Sequence, residues 1–285
     1  MLLDAKFRRV RTDYRAREGR EGAHTLRGGA GGPFVDARRH RRVVSRETLW
    51  IPSPFRGDRV FSPREKAHLW QDGRGAVTDR VQLYTLPISH YCVSAERMLA
   101  FKGVRYRRRP THYHEREELL QVSGQDYVPT MLWNGKVVTW NEIPEFLDRV
   151  HPDPPLLPAG LAGLARSLEN WGHQVVEERV WRAVVTQVPA TFRDPVERWV
   201  FEEMQTRSRG PWHVLKARRK EFLGDLWPYF HMIDEMLKGR EWILDQPTLA
   251  DFGIYGGLSP WMTVGERIPP RYRNLARWVA RVGRL

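Results

Sequence analysis

The chain contains little cysteine and no long apolar run, and each of these absences excludes a class of protein or site. Of its 285 residues only Cys92 is a cysteine, which excludes an intrachain disulfide and a multi-cysteine zinc or iron–sulfur site. No run of about 18 apolar residues occurs, so we expect no membrane-spanning helix. The first residues also lack the apolar segment of a secretory signal. These features predict a cytoplasmic protein with no membrane partner.

The signature motifs of several enzyme classes are missing as well. We find no phosphate-binding glycine loop, no G-x-S-x-G, no H-E-x-x-H and no dinucleotide-binding glycine pattern. Nucleotide-dependent, esterase and zinc-protease activities are therefore disfavoured. His112 and His114 form an H-x-H sequence in a charged loop. That is a weak metal signal, and we expect no metal site.

The positive charge of the chain is concentrated near its start. The formal net charge is +13, which raises the question of nucleic-acid binding. Residues 1–80 contain 19 Lys/Arg and 10 Asp/Glu, whereas residues 81–285 contain 28 and 24. Nucleic acid is therefore not expected to be a partner of the globular body, and only residues 1–80 offer a basic tail for it.

Residues 1–80 are predicted to form a disordered basic extension. They are rich in Arg and Gly and show neither a helical nor a strand period, so they bury too little apolar surface to offset chain entropy. The 10 acidic residues and only three serines disfavour a mitochondrial transit peptide. Two alternatives stay open. The segment is a nucleic-acid-binding tail, or it is translated upstream sequence and the working protein begins near Val77.

Residues 81–153 predict an α/β domain with the order β-α-β-loop-β-β-α. The predicted elements are, in chain order, a strand over Val81–Thr85, a helix over Val93–Lys102 that ends at Gly103, a strand over Val104–Arg109, a hairpin, and a helix over Ile143–Val150. The hairpin is predicted by Asn134-Gly135, because this dipeptide between two apolar runs favours a tight two-residue turn.

Residues 154–285 predict an all-helical domain behind a stiff proline connector. Apolar residues recur at helical spacing on two predicted faces. The first face is Leu161, Leu164, Leu168, Trp171 and Val175, and the second is Phe222, Leu226, Phe230, Ile233 and Leu237. Thr248 and Asp251 have the spacing of a capping box that begins a further helix.

Several short segments recur in a characteristic order across residues 81–285. These segments are Leu83-Tyr84, Ser89–Cys92, Val128-Pro129, Ile143–Leu147, Pro152–Pro158 and Thr248–Phe252. Together they resemble the cytosolic glutathione S-transferase superfamily. The resemblance implies a thioredoxin-like N-terminal domain, an all-α C-terminal domain, glutathione as cosubstrate and, usually, a homodimer.

Two residues near the start of the first helix are candidates for thiol chemistry. Ser89 precedes this helix, whose N-terminal N–H groups stabilise an anion. In serine-type members of the family a Ser at this place favours the glutathione thiolate, whereas the structural alternative is a helix N-cap. Cys92 is either a small core residue or, if the register slips by three residues, the nucleophile of a reductase-like enzyme.

The glutathione-binding residues are carried over by the same resemblance. Val128-Pro129 is expected to be a cis peptide, with the Val128 backbone pairing with the cysteinyl part of glutathione. Thr139 and Trp140 stand where the family usually has an acid and a Ser for the γ-glutamyl group, which departs from its pattern. Asn141 and Glu142 are the expected substitutes.

We predict a glutathione transferase that conjugates the glutathione thiolate to a small apolar electrophile. Trp171, His173, Trp181 and Arg182 lie on or near the helix that lines the second-substrate pocket in the family, although a Trp at helical spacing is usually a core residue. One alternative is a glutathione-dependent oxidoreductase that uses Cys92. Another is a non-catalytic binding or scaffold protein with a glutathione-transferase-like fold.

Overall fold

A four-stranded mixed sheet forms the first part of the computed structural model, which describes residues 80–285. The strands are β1 (Val81–Thr85), β2 (Arg107–Pro110), β3 (Thr130–Trp133) and β4 (Lys136–Thr139), in the spatial order β2-β1-β3-β4. β1 pairs parallel with β2 and antiparallel with β3, and β3 pairs antiparallel with β4. The extension predicted over residues 1–80 lies, apart from its last residue, outside the described residues.

Three helices accompany the sheet, α1 (His90–Phe101), α2 (Glu117–Ser123) and α3 (Ile143–Val150). α1 begins three residues before the predicted start because the Ser89 side chain caps it, and Gly103 follows its end with a φ of 64°. α2 stands where a loop was expected. It has only seven residues and presents few apolar groups to the core, so it carries no strong helical period.

The hairpin between β3 and β4 brings the start of β3 and the end of β4 next to each other. Asn134 and Gly135 have φ values of 49° and 78°, as the predicted tight turn requires. In the resulting register Thr130, at the start of β3, pairs with Thr139 on one side and with Tyr84 on the other. The end of β1, the start of β3 and the end of β4 therefore meet at one edge of the sheet.

The second part of the described chain is helical. Its helices are α4 (Ala162–Trp171), α5 (Glu177–Val184), α6 (Pro195–Arg209), α7 (Trp212–Ala217), α8 (Arg219–Met236), α9 (Leu249–Thr263) and α10 (Arg273–Gly283), with a π-helical segment over Gly172–Val176 and a 3₁₀ turn over Val188–Thr191. A thioredoxin-like α/β part followed by helices is the predicted fold class. The boundary predicted between residues 153 and 154 stays a prediction. Between residues 80 and 285, no helix combines the length and apolarity needed to cross a bilayer.

Helix α9 lies at the centre of the helical part and packs against α1, α4 and α5. Glycines permit this close approach. A Cβ at Gly172 would lie 2.7 Å from the Ile254 backbone nitrogen, and one at Gly256 would lie 2.0 Å from Ser94 Oγ and 2.6 Å from the His90 carbonyl oxygen. The start of α1 therefore rests directly on α9, and the position of its N-terminus depends on this contact.

The capping box predicted at the start of α9 is present. Asp251 Oδ2 accepts from the Thr248 backbone N–H at 3.0 Å, and Asp251 Oδ1 accepts from Ile243 N at 3.0 Å and from Trp278 Nε1 at 2.9 Å. The buried carboxylate thus links the start of α9 to the preceding loop and to α10. Its role is structural.

The two predicted apolar faces have different outcomes. All five residues on α8 and at its end are buried, which confirms that face. The face predicted on α4 is confirmed only in part: Leu168 and Trp171 pack against the core, but Leu164 is 50% exposed and Ala165 and Glu169 are the fully buried residues. The reason is the close glycine contact with α9, which brings the side of the helix that carries Ala165 and Glu169 against α9 and leaves Leu164 at the surface.

Candidate functional site

Three turns meet at the sheet edge next to the N-terminus of α1. The Leu86–Ser89 loop follows β1, Val128-Pro129 precedes β3, and Thr139-Trp140 follows β4. Val128-Pro129 is cis, as predicted, and Asp153-Pro154 in the connector is cis as well. The fold therefore brings the predicted site segments around residues 89, 128 and 140 to one place, although they are far apart in the sequence.

Ser89 caps α1 and remains partly exposed. Its Oγ accepts a hydrogen bond from Cys92 N at 3.4 Å. The hydroxyl also lies within hydrogen-bond reach of the Cys92 thiol, and a hydroxyl that accepts can donate its own O–H. The remaining N–H groups of the first turn and the helix dipole add positive potential at the same place. An anion beside Ser89 would thus be stabilised by both the hydroxyl and the helix.

Cys92 is oriented differently from Ser89. It is 1% exposed, and its Sγ accepts from the Leu86 backbone N–H at 3.4 Å. Burial raises the pKa of the Cys92 thiol, so the protonated form is favoured. The structure places this side chain in the core beneath the loop, and the environment is that of an unreactive thiol.

An aromatic cluster that the sequence did not predict lies beside the N-terminal end of α1, which we call the mouth of α1. The Tyr91 ring lies 4.2 Å from the Trp140 ring and 4.4 Å from the His173 ring, and Trp140 and His173 are 5.3 Å apart. Tyr91 Oη accepts from Gln174 Nε2 at 2.9 Å. Burial raises the pKa of Tyr91 to about 12, so its hydroxyl stays protonated at neutral pH. The one hint of this cluster in the sequence is that Tyr91 lies two residues after the predicted site residue Ser89.

A histidine–glutamate pair lies behind this cluster. His90 Nδ1 is 3.4 Å from Glu177 Oε1. Burial lowers the pKa of His90 to about 3 and raises the pKa of Glu177 to about 7. Burial also holds the pKa of His173 well below its ordinary value. Both imidazoles are therefore neutral at pH 7, and the Glu177 carboxyl titrates near neutrality.

The segment that departs from the family pattern forms a second capping box. Glu142 Oε2 accepts from Thr139 N at 2.9 Å and from Thr139 Oγ1 at 2.8 Å, and the backbone hydrogen bond lowers the pKa of Glu142. Trp140, Asn141 and Glu142 form one 3₁₀ turn that leads into α3. Asn141 and Glu142 are exposed. Glu142 is thus an exposed carboxylate at the same sheet edge as Ser89.

The four residues of the helical part that were expected near a second substrate lie in three different places. His173 joins the aromatic cluster beside Tyr91. Trp181 is buried, and its Nε1 donates to Gln205 Oε1 at 3.1 Å. Trp171 and Arg182 line a surface groove of about 580 Å³ between α8 and the α4–α5 side. Among the described contacts, His173 is the one of these four that reaches the mouth of α1.

Comparison with known proteins finds a family match for the α/β part of the described residues. Residues 83–154 match the family model for the glutathione S-transferase N-terminal domain. Among curated proteins, none matches the chain in sequence.

Solved structures extend the likeness to most of the described residues. A glutathione S-transferase from Rhodospirillum rubrum F11 is 21% identical, with a TM-score of 0.56 over 71% of this chain and 87% of that chain. Glutaredoxin 2 from Salmonella typhimurium in complex with glutathione is 14% identical, with a TM-score of 0.60 over 73% and 96%. The β-etherase LigF from Sphingobium sp. strain SYK-6 is 17% identical, with a TM-score of 0.53 over 72% and 95%. At these identities the structures show a shared fold.

Proposed function

We propose that this chain is a glutathione transferase that acts in the cytoplasm as a homodimer, because residues 83–154 match the N-terminal domain of glutathione S-transferases and the fold is shared with a solved glutathione S-transferase. Its substrates would be glutathione and a small apolar electrophile. The relatives of the same fold include a protein bound to glutathione. Sedimentation of the full chain tests the dimer.

The observation that carries the proposal is the position of Ser89. Its hydroxyl lies at the N-terminus of a 12-residue helix, at the sheet edge that also holds the cis Val128-Pro129 turn. Free thiols have a pKa near 8.5 and are mostly protonated at neutral pH. A donating hydroxyl and the helix N-terminus lower the energy of the thiolate, which is the nucleophilic form.

The other site residues have complementary roles in this proposal. The Val128 backbone pairs with the cysteinyl part of glutathione, and Glu142 with Asn141 receives the γ-glutamyl end, where the Glu142 carboxylate meets the ammonium group. Trp140 and Tyr91 supply an apolar wall for the electrophile, because their rings lie 4.2 Å apart at the mouth of α1.

The proposed reaction is a conjugation at the glutathione sulfur. The thiol proton leaves to solvent, the thiolate sulfur attacks an electrophilic carbon, and a C–S bond forms. In a displacement the leaving group departs with the bonding electron pair. In an addition the electron pair of the double bond moves to the adjacent atom, which is then protonated. Ser89 acts by stabilising the sulfur anion.

Variants of Ser89 test the assignment. Ser89→Gly removes the hydroxyl but costs the helix cap only a few tenths of a kcal/mol, and Ser89→Thr keeps both functions. We expect kcat/KM for conjugation of a panel of aryl halides and α,β-unsaturated carbonyls to fall about 10- to 100-fold in Ser89→Gly, the effect of losing a hydrogen bond to a charged group. Ser89→Thr should retain most of the activity.

Two controls complete the experiment. Ser167→Ala alters an exposed helical serine and should leave the activity unchanged. Cys92→Ala should also remain active, whereas loss of activity in Cys92→Ala but not in Ser89→Gly would favour the oxidoreductase. Absence of glutathione binding by calorimetry at millimolar concentration would overturn the transferase proposal and favour a non-catalytic module.

A further inference from the structure

The two histidines of the H-x-H sequence face two carboxylates from a distant part of the chain. His112 and His114 follow β2, and their ring centroids are 5.7 Å apart. His112 Nδ1 contacts Glu197 Oε2, and His114 Nε2 lies 3.7 Å from Asp194 Oδ2. Asp194 and Glu197 belong to the cap and first turn of α6. The fold thus gathers two imidazoles and two carboxylates from segments more than 80 residues apart in sequence.

Each carboxylate is oriented by a backbone N–H on the oxygen that faces away from the histidines. Asp194 Oδ1 accepts from Val196 N at 2.8 Å, and Glu197 Oε1 accepts from Tyr113 N at 3.0 Å. The other oxygens, Asp194 Oδ2 and Glu197 Oε2, are the ones directed at the imidazoles. Outer hydrogen bonds that fix the orientation of ligand side chains are a regular feature of protein metal sites.

The burial of Glu197 also requires compensating positive charge. Its side chain is 5% exposed, and a carboxylate removed from water is costly unless it is paired or coordinates a metal. Within the immediate group the possible partners are the imidazoles, and the exposed Glu115 adds a further acid 3.7 Å from His114 Nε2. A divalent cation would neutralise this accumulation of carboxylates.

We propose that His112, Asp194 and Glu197, with His114 close by, bind a divalent transition-metal ion such as Zn²⁺. One ligand atom from each of His112, Asp194 and Glu197 lies within 4.8 Å of the other two, which leaves the fourth position to solvent. Ligands about 2.1 Å from a tetrahedral Zn²⁺ are roughly 3.4 Å apart, so small side-chain rotations suffice. Mixed imidazole and carboxylate donors suit Zn²⁺, whereas Mg²⁺ prefers oxygen ligands alone. The proposal differs from the expectation of no metal that followed from the weak sequence signal.

The proposed ion would join the loop after β2 to the start of α6. The histidines follow the end of β2, where Thr111 N donates to Thr85 O at 2.9 Å beside the end of β1. The ligands are different residues from those assigned to glutathione, so the existence of the metal site does not depend on glutathione binding. Because the folded chain assembles ligands that the unfolded chain keeps apart, binding of Zn²⁺ should raise the melting temperature.

Calorimetry of the metal-free full chain with Zn²⁺ tests the site. We expect Glu197→Gln and His112→Ala each to bind one Zn²⁺ fewer per chain than the unaltered protein, and to lose the Zn²⁺-dependent rise in melting temperature. Glu197→Gln retains an acceptor for Tyr113 N, which preserves the local fold. His213→Ala, at an exposed histidine on α7, is the matched control and should bind as the unaltered protein does. Mg²⁺ should give no comparable heat.

Co²⁺ provides a second readout that needs no variant. The unaltered protein should develop the visible absorption of a low-symmetry four-coordinate Co²⁺ site, and Zn²⁺ should displace it. Equal Zn²⁺ stoichiometry in the unaltered protein and both variants, or no visible Co²⁺ band in the unaltered protein, would overturn the proposal and leave two histidine–carboxylate ion pairs.

Discussion

Replacement of Gly256 by alanine tests whether the contact between α9 and α1 positions the candidate site. A Cβ at Gly256 would lie 2.0 Å from Ser94 Oγ, 2.6 Å from the His90 carbonyl oxygen and 3.2 Å from His173 Cε1. The Ser94 side chain can rotate, although it would lose its 2.8 Å hydrogen bond to Phe252 O. The His90 carbonyl is backbone, so relief there requires the first turn of α1 to move.

The expected magnitude follows from two opposing effects. Overpacking a close helix contact costs about 1–3 kcal/mol and sometimes more, while alanine is favoured over glycine inside a helix by about 1 kcal/mol. With a backbone contact at 2.6 Å the steric cost is at the upper end. We therefore expect Gly256→Ala to lower the free energy of unfolding by about 2 kcal/mol, or the melting temperature by roughly 4–8 °C.

A matched control is available in α8. Gly224 is also helical, but a Cβ there would meet no atom within 4 Å. Gly224→Ala should therefore stabilise the protein by about 1 kcal/mol through helix propensity alone. Urea denaturation followed by tryptophan fluorescence measures both variants. If Gly256→Ala proved as stable as Gly224→Ala, the reasoning that α1 rests directly on α9 would be refuted.

The double variant Ser94→Ala/Gly256→Ala separates the two contacts. Removing the hydroxyl relieves the approach to Ser94 but leaves the approach to the His90 carbonyl, so the double variant should recover only part of the stability after correction for Ser94→Ala alone. Glutathione affinity, if glutathione binds at Ser89, should fall in Gly256→Ala because the turn that carries Ser89 moves with His90. A full recovery would show that the backbone contact is immaterial.

The remaining predictions concern caps, pH and the cysteine. In urea denaturation, Asp251→Ala should lower the free energy of unfolding by about 3 kcal/mol, because this carboxylate is buried and accepts from several donors. Thr139→Ala should lower it by only about 1 kcal/mol, because its capping box is exposed. Equal losses in the two variants would contradict this reasoning. Since the folded-state pKa of Glu177, about 7, lies above its ordinary 4.5, its contribution to stability is lost as pH rises from about 5 to 8. Glu177→Gln should therefore show a flatter stability profile over that range, and an unchanged slope would refute the assignment. Cys92 should resist an aromatic disulfide reagent in the native protein and react after unfolding in urea, whereas rapid native reaction would support the oxidoreductase alternative.

Local sequence signals predicted the elements whose chemistry is local. The Asn134-Gly135 turn is fixed by two positive φ values that these residue types tolerate, and the Thr248–Asp251 box closes within four residues. The apolar face of α8 is equally well defined because its neighbours bury large side chains along its length. In each case the deciding interaction lies within a few residues or follows a simple period.

The features that were missed depend on contacts between distant segments. The buried side of α4 is decided by the close contact between Gly172, which directly follows this helix, and α9. Because glycine has no side chain, such a contact does not appear in the hydrophobic periodicity. The cluster at the mouth of α1 joins Tyr91, Trp140 and His173 from three elements. The H-x-H sequence becomes informative only when α6 brings its carboxylates to the histidines.

The most direct test of the transferase proposal is the pKa of the glutathione thiol when it is bound to the protein. The ultraviolet absorbance of the thiolate, followed across a pH titration at saturating protein, measures it in the unaltered chain and in Ser89→Gly. We predict a pKa well below the free-thiol value of about 8.5 in the unaltered chain, and a return toward that value in Ser89→Gly. A bound thiol that titrates like the free one, or the same lowered pKa in both proteins, would contradict the role assigned to Ser89.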